Sequence, residues 1–271
     1  MYDFHFGSKE DILKNDEDFL IFVKRLLPRW VNGIPDSEYL ELYRNLKKIK
    51  TKKPVLIETG CGASTLVFFF YASLHGGKLY SWDTNGSKGS FLRSVILEAM
   101  CGPLGIDIND TWEFIAFDST DSSIGIPVLK ELKKKADFGF FDSLHTADHL
   151  KEEIDLFQSV ANKQFMVALD DAYLTKIYKN FGFTNILRAK LGLKSLEEPK
   201  DNIGDPFYEV IEAFLRKNNS KVKKQRLKYV ETVKNDIFFK YFAKDQKIID
   251  DFKMINLDDV KDRLKIWSVN K

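Results

Sequence analysis

The chain has 271 residues, 44% hydrophobic with 23 Phe, enough for one large domain with a sizeable core. Lys and Arg total 42 against 40 Asp and Glu, a near-balance that gives no electrostatic footprint for a polyanionic partner. The two cysteines, Cys61 and Cys101, exclude a disulfide scaffold and a Cys-rich zinc site and suit a reducing compartment.

The first residues, MYDFHFGSKEDILKND, lack the basic-then-apolar pattern of a secretory signal. The longest apolar run, Leu66 to Ala72, falls far short of the roughly 18 residues that span a bilayer. A cytoplasmic protein without membrane contact is the expectation. Residues 10–50 read as two polar-faced helices, with Ile12, Leu13, Phe19, Leu20, Phe22 and Val23 at helical spacing and a second start at Pro35-Asp36-Ser37.

From residue 51 the texture changes to short apolar strands alternating with helices. The strands are expected at Pro54–Glu58, Lys78–Trp82, Glu113–Phe117, Phe138–Phe141 and Phe165–Leu169. Helices are expected near 64–75, 88–100, 126–135, 147–160 and 172–180. Such alternation implies right-handed crossovers and a doubly wound, mostly parallel α/β sheet covered on both faces. Folds of this kind bind ligands at the carboxyl ends of their strands.

Beyond residue 180 the pattern weakens. Gly182 to Asp205 reads as an irregular insertion or lid, and Pro206–Lys217 as a helix. The basic stretch RKNNSKVKKQRLK, Arg216 to Lys228, reads as a solvated loop or helix face in preference to a nucleic-acid contact. Tyr229–Val233 and Asp236–Phe242 are expected to form a closing antiparallel hairpin. The whole chain, 1–271, reads as one domain: helical extension 1–50, core 51–180, insertion 181–228, and hairpin and tail 229–271.

The strand ends carry the chemistry. The first runs into IETGCGAST, where Gly60 and Gly62 permit a tight turn and the next helix offers unpaired N–H groups. Thr65 stands where a dinucleotide fingerprint has its third glycine, which favours a cofactor smaller than a pyrophosphate-linked one. Glu58 suits a cofactor bearing a positive amino group, and Cys61 and Ser64 belong to the same turn. The second strand ends in YSWDTN, placing Asp83 where an acid commonly accepts both ribose hydroxyls of an adenosine. The third ends in FIAFDSTD, bringing Asp118 and Ser119 to the same rim, able to receive an adenine amino group, although this is also ordinary turn chemistry.

The segments ETGCGAST, WDTN, FDSTD, FGFFDSLHTADHLKEEIDLF and VALDDAY resemble a class I S-adenosylmethionine-dependent methyltransferase over roughly residues 54–175. The last two are similar to the metal-dependent O-methyltransferases around catechol O-methyltransferase and the macrocin O-methyltransferase-like enzymes. The resemblance implies a Rossmann-like fold, S-adenosylmethionine as methyl donor and a small-molecule acceptor. It departs from that branch at Ser143, where a glycine is usual, and between Ser143 and Ala147, where the catechol enzymes carry a catalytic lysine and this chain has none.

Within that resemblance Asp142, Asp170 and Asp171 come from neighbouring strand ends, and three adjacent carboxylates repel unless a cation lies between them. Oxygen-only ligands suit Mg²⁺ first, with Mn²⁺ or Ca²⁺ as alternatives. The alternative for the doubled acid is Asp171 capping a helix and Asp170 bonding to backbone, without metal. His145 is the candidate base for the acceptor hydroxyl, since its reference pKa of about 6.5 suits that work; equally, it could only touch the cofactor. HTADH comes close to one zinc-protease pattern, but the acid differs and the motif opens at a strand-to-helix junction.

The expected activity is O-methylation of a hydroxylated small molecule, such as a sugar or secondary metabolite. A metal-independent N- or O-methyltransferase and a non-catalytic nucleotide-binding module remain alternatives. The helices before the first strand could cover the cofactor or build a homodimer interface.

Overall fold

The computed structural model describes residues 6–144, 147–170, 223–226 and 265–270. In chain order, three helices come first: α1 Lys9–Lys14, α2 Asp16–Arg25 and α3 Asp36–Leu46. There follow β1 Val55–Thr59, α4 Ala63–Leu74, β2 Lys78–Trp82 and α5 Gly86–Ile96, which runs through a π-helical turn at Leu97–Cys101 into α6 Gly102–Leu104. Next are α7 Ile108–Thr111, β3 Trp112–Ile115, α8 Val128–Glu131, β4 Ala136–Phe141, α9 Ala147–Val160 and β5 Ala161–Leu169. β6 Lys223–Arg226 and β7 Lys265–Asn270 complete the described strands.

Among the described residues these strands form one sheet in the order β3-β2-β1-β4-β5-β7-β6. β1 to β5 pair in parallel, while β7 runs antiparallel between β5 and β6. The doubly wound parallel sheet expected from the alternating pattern is therefore present. Strand order reverses between β1 and β4, and in sheets of this type the ligand crevice opens beyond the carboxyl ends at that point.

The period of two along each strand divides the core between two faces. Leu56, Phe138, Phe140, Met166 and Ile266 pack on the side of α4. Ile57, Trp82, Phe141, Val167 and Leu169 pack on the side of α9, with Leu150, Ile154 and Phe157. Gly139 makes room for the Phe157 ring, since a Cβ there would meet it at 2.8 Å. Each fully buried Phe or Leu side chain contributes about 1.5–3 kcal/mol.

The apolar run that is too short for a membrane forms α4, buried from Ala63 to Ala72 on every side. One side meets the sheet, and the other is covered by α2 and α3, where Phe19 and Tyr43 contact Phe70 at 5.6 and 5.7 Å. The N-terminal helices thus cap α4, and they number three where two were expected, because α1 and α2 break at Asn15. No helix among the described residues is long and apolar enough to cross a membrane.

Several element bounds differ from expectation. β3 begins at Trp112 instead of Glu113 and stops at Ile115, freeing Phe117 for the rim. The helix expected over 126–135 shortens to Val128–Glu131, because Lys133 takes a positive φ of 53° and ends it. Part of the basic stretch, Lys223–Arg226, is a strand paired with β7, neither loop nor helix face. The expected helices at 172–180 and 206–217 and the hairpin over 229–242 lie outside the described residues.

Candidate active site

The tips of β1, β4 and β5 are stitched together by backbone. The Asp142 N–H donates to the Thr59 carbonyl at 2.9 Å and the Asp170 N–H to the Phe141 carbonyl at 3.3 Å. Gly60 follows Thr59 with φ of 83°, and its N–H donates to the Trp82 carbonyl at 2.8 Å. A Cβ at Gly60 would lie 1.8 Å from the Asp142 carbonyl oxygen. The glycine turn and the β4 tip therefore touch at the reversal point, which only a residue without a side chain permits.

Two cavities flank this contact. One, of about 280 Å³, is bordered by Trp82, Asp83, Phe117, Asp118, Ser119 and His149, together with Gly60, Asp142, Ser143 and Leu144. The other, of about 140 Å³, is bordered by Trp30, Ile34, Cys61, Gly62, Asp142 and Asp170. Asp142 and Lys88 border both.

Asp83 is tied into the glycine turn. Its Oδ2 accepts the Cys61 N–H at 2.9 Å and the Lys88 ammonium at 2.7 Å, and its Oδ1 accepts the Asn85 N–H at 2.8 Å. The Cys61 thiol is pushed well above its ordinary pKa by burial, with the Glu58 and Asp83 charges adding to it. A thiol so disposed is inert as a nucleophile.

Glu58 borders neither cavity. It is fully buried, and its oxygens accept the hydroxyls of Ser64 at 2.5 Å, Thr65 at 2.7 Å and Ser81 at 3.0 Å. Thr65 also takes the Gly62 N–H at 3.1 Å. Burial pushes Glu58 up to about 7, against the three hydroxyl bonds. Glu58, Ser64 and Thr65 thus lock the turn to the start of α4 and to β2, beneath the cavities; Ser64 alone of the three reaches a cavity wall.

Asp118 and Ser119 reach the larger cavity, as their strand end requires. Asp118 Oδ1 accepts the Thr120 N–H and hydroxyl, both at 2.8 Å. Ser119 is 5% exposed and donates to Glu153. Asp142 and Asp170 both border the smaller cavity, and Asp170 is 4% exposed. Asp171 and His145 lie outside the described residues. Among the described residues no group of three or more His, Cys, Asp or Glu is arranged to hold a metal ion.

A family profile described as "Methyltransferase domain" matches residues 57–172, the span from β1 to just past β5 that contains this rim. Residues 57–172 thus match a methyltransferase domain. Solved structures share the fold. An O-methyltransferase from Bacillus cereus in complex with SAH is 14% identical, with TM-score 0.51 over 95% of this chain and 91% of that one. A protein from Staphylococcus aureus described as a caffeoyl-CoA O-methyltransferase is 10% identical, with TM-score 0.56 over 97% and 99%. An SAH-bound methyltransferase from Podospora anserina is 10% identical, with TM-score 0.53 over 100% and 98%. No protein of curated function matches the sequence significantly.

Several residues of the cavity walls escape a reading of the sequence. Lys88 stands in the first turn of α5, where the helix dipole disfavours a cation. That misplaced charge is the signal that a carboxylate must hold it, and Asp83 does. Glu153 stands between Glu152 and Asp155 in α9 and faces inward beside Leu150, Ile154 and Phe157, at 1% exposure. Val31 and Ile34 come with Trp30 from the connection between α2 and α3, and no local pattern marks Val31 or Ile34 as a cavity wall.

Proposed function

We propose that the chain moves the methyl group of S-adenosylmethionine to a hydroxyl oxygen of a small molecule, with a divalent cation held at the tips of β4 and β5. The observation that carries this reading is the position of Asp142 and Asp170, on adjacent strand ends bordering one cavity beside the glycine turn. The larger cavity suits the adenosine part, with the ribose hydroxyls at Asp83 and the adenine at Asp118 and Ser119. The smaller cavity suits the reacting end and the acceptor. In the reaction the acceptor oxygen bonds to the methyl carbon as the carbon–sulfur bond breaks. The bonding pair stays on sulfur, and S-adenosylhomocysteine leaves neutral at sulfur.

The donor chemistry fits a hard cation. Asp142 and Asp170 bring carboxylates to one cavity from adjoining strand ends, and oxygen donors of that kind suit a hard divalent cation. Together with Asp171 they would hold Mg²⁺ first among the candidates. Bound there, the cation would lower the pKa of the acceptor hydroxyl and orient its oxygen. The chain's own contribution is positioning. The Gly60–Asp142 contact fixes the β4 tip, the Asp83–Cys61 bond fixes the turn, and Trp30 with Ile34 forms part of the smaller cavity's wall. His145 is the proposed proton acceptor.

One observation favours a second reading, a metal-independent methyltransferase. The Lys88 ammonium borders both cavities and already supplies positive charge beside the acids.

Methyl transfer from labelled S-adenosylmethionine to a panel of catechols and sugars, with and without a chelator, separates the readings. The first expects activity restored by Mg²⁺, and an Asp170→Asn chain that binds S-adenosylhomocysteine normally yet loses activity by on the order of 100-fold or more. Activity that survives both chelation and Asp170→Asn supports the second reading. A product methylated on nitrogen sinks the hydroxyl assignment.

A further inference from the structure

Glu153 collects three partners on one carboxylate oxygen. The Ser119 hydroxyl donates to Oε1 at 2.5 Å and the Ser143 hydroxyl at 2.8 Å, and His149 Nε2 lies 3.3 Å from the same atom. The three partners belong to three segments: the loop after β3, the loop after β4, and α9. All three border the 280 Å³ cavity, whereas Glu153 lies behind them at 1% exposure. A carboxylate buried this deeply is costly without such partners. Here the two hydroxyls fix the carboxylate, which lies against the imidazole at Nε2 one helical turn earlier.

Asp118 borders the same cavity. Thr120 occupies its Oδ1, and its Oδ2 takes no hydrogen bond among the described residues. The bond to Glu153 raises the His149 pKa above its ordinary value; burial opposes it, and the charges of Glu153, Asp118 and Glu152 add to it. Burial pushes Asp118 up, but the Thr120 bonds and the His149 charge outweigh it and hold it below its ordinary value. Asp118 is therefore ionised throughout the imidazole range. The other charged groups on the cavity are Asp83 and Lys88, paired with each other, and Asp142.

We propose that His149 and Asp118 together read the exocyclic amino group of adenine, and that protonation of His149 switches this recognition off. The inference rests on the assignment of the larger cavity to adenosine. With its Nε2–H given to Glu153, neutral His149 keeps a lone pair on Nδ1. Asp118 offers Oδ2. These are two acceptors on one cavity, and the adenine amino group carries two N–H donors. A 6-oxo purine presents a carbonyl oxygen at that place and meets two lone pairs instead. Protonated His149 carries N–H at both nitrogens and turns Nδ1–H to the Asp118 carboxylate, which consumes both acceptors. Glu153 touches no ligand and acts as a positioning residue for the ring.

The test is equilibrium binding of S-adenosylhomocysteine and S-inosylhomocysteine to the full chain by calorimetry, from about pH 5.5 to about pH 7.5, across the imidazole range. At the upper end the adenosyl ligand is expected to bind on the order of tenfold tighter, and the ratio should fall toward one at the lower end. In His149→Phe, which leaves Asp118 as the remaining acceptor of the pair, the ratio is expected to be smaller than in the parent at the upper end and to stay the same across the range, while S-adenosylhomocysteine still binds. Glu153→Gln keeps an acceptor oxygen but removes the charge that raises the imidazole pKa, so the fall moves to lower pH. A ratio independent of pH in the unmodified chain overturns the proposal and leaves the adenosine site standing, as does a His149→Phe chain whose ratio still falls with pH as in the parent. Absence of S-adenosylhomocysteine binding at every pH overturns the adenosine assignment and this inference with it. The unmodified chain carries the pH measurement, so the outcome does not depend on either variant folding.

Discussion

Gly60 and Asp142 are in backbone contact, so close that a methyl group on Gly60 would lie 1.8 Å from the Asp142 carbonyl oxygen. This contact closes β1 against β4 at the point where the strand order reverses. It also places Asp142 between the two cavities.

Gly60→Ala should therefore be more damaging than a surface glycine change. It combines a positive φ with a backbone clash, and the expected loss is on the order of 3–5 kcal/mol in urea unfolding. S-adenosylhomocysteine binding should fail with it. A variant within about 1 kcal/mol of the parent would show that the turn opens without cost.

Glu58 should make stability depend on pH. Its folded pKa, about 7, stands above the ordinary 4.5, chiefly because it is buried. Between those values the folded state binds more protons than the unfolded state, so stability falls as pH rises. The contribution is complete below about pH 4.5 and lost above about pH 7, amounting to about 3 kcal/mol or less. Unfolding free energies of the parent and Glu58→Gln, measured across that window, should diverge with this sign; parallel curves would count against a neutral, buried Glu58.

Asp83 and Lys88, paired at 2.7 Å, should have opposite effects on cofactor binding. Asp83→Ala should weaken S-adenosylhomocysteine binding by about 1.5–3 kcal/mol, the worth of hydrogen bonds to a charged group. Lys88→Met frees one side of Oδ2 and removes a cation from both cavities. It should tighten binding of both ligands, and of the cationic sulfonium more than of the neutral sulfide. Calorimetry of the two ligands on one variant decides this, and equal changes would place Lys88 too far from the sulfur to matter.

Trp30 should bear on the acceptor alone. It is 55% exposed, rests against Phe91 at 5.5 Å, and borders only the smaller of the two cavities. Trp30→Ala is expected to raise the acceptor KM about tenfold, through lost aromatic contact, with S-adenosylhomocysteine affinity unchanged. A rise in the cofactor Kd of similar size would move Trp30 out of the acceptor wall.

The strand tips are legible in the sequence because they are local. Five apolar runs, each ending in glycine or acid, announce a parallel sheet and its functional edge without knowledge of any partner. Gly60, Asp83, Asp118, Asp142 and Asp170 can all be picked out in this way, and the described rim contains each of them. Glu58 shows the limit of such local inference. Its place before the glycine turn suggests a ligand contact, but successive side chains on a strand face opposite sides. The structure turns this one down among Ser64, Thr65 and Ser81.

Local sequence is enough to set the alternation, the sheet and the identity of the acids at its edge, because hydrophobic period and turn residues act within a few positions. What those acids meet depends on the packed chain. Ser119 and Glu153 are 34 residues apart, and Trp30 comes from a segment before the first strand. Such pairings follow from the order in which strands assemble and from which helix caps which face. Those are properties of the tertiary fold as a whole, and no local stretch encodes them.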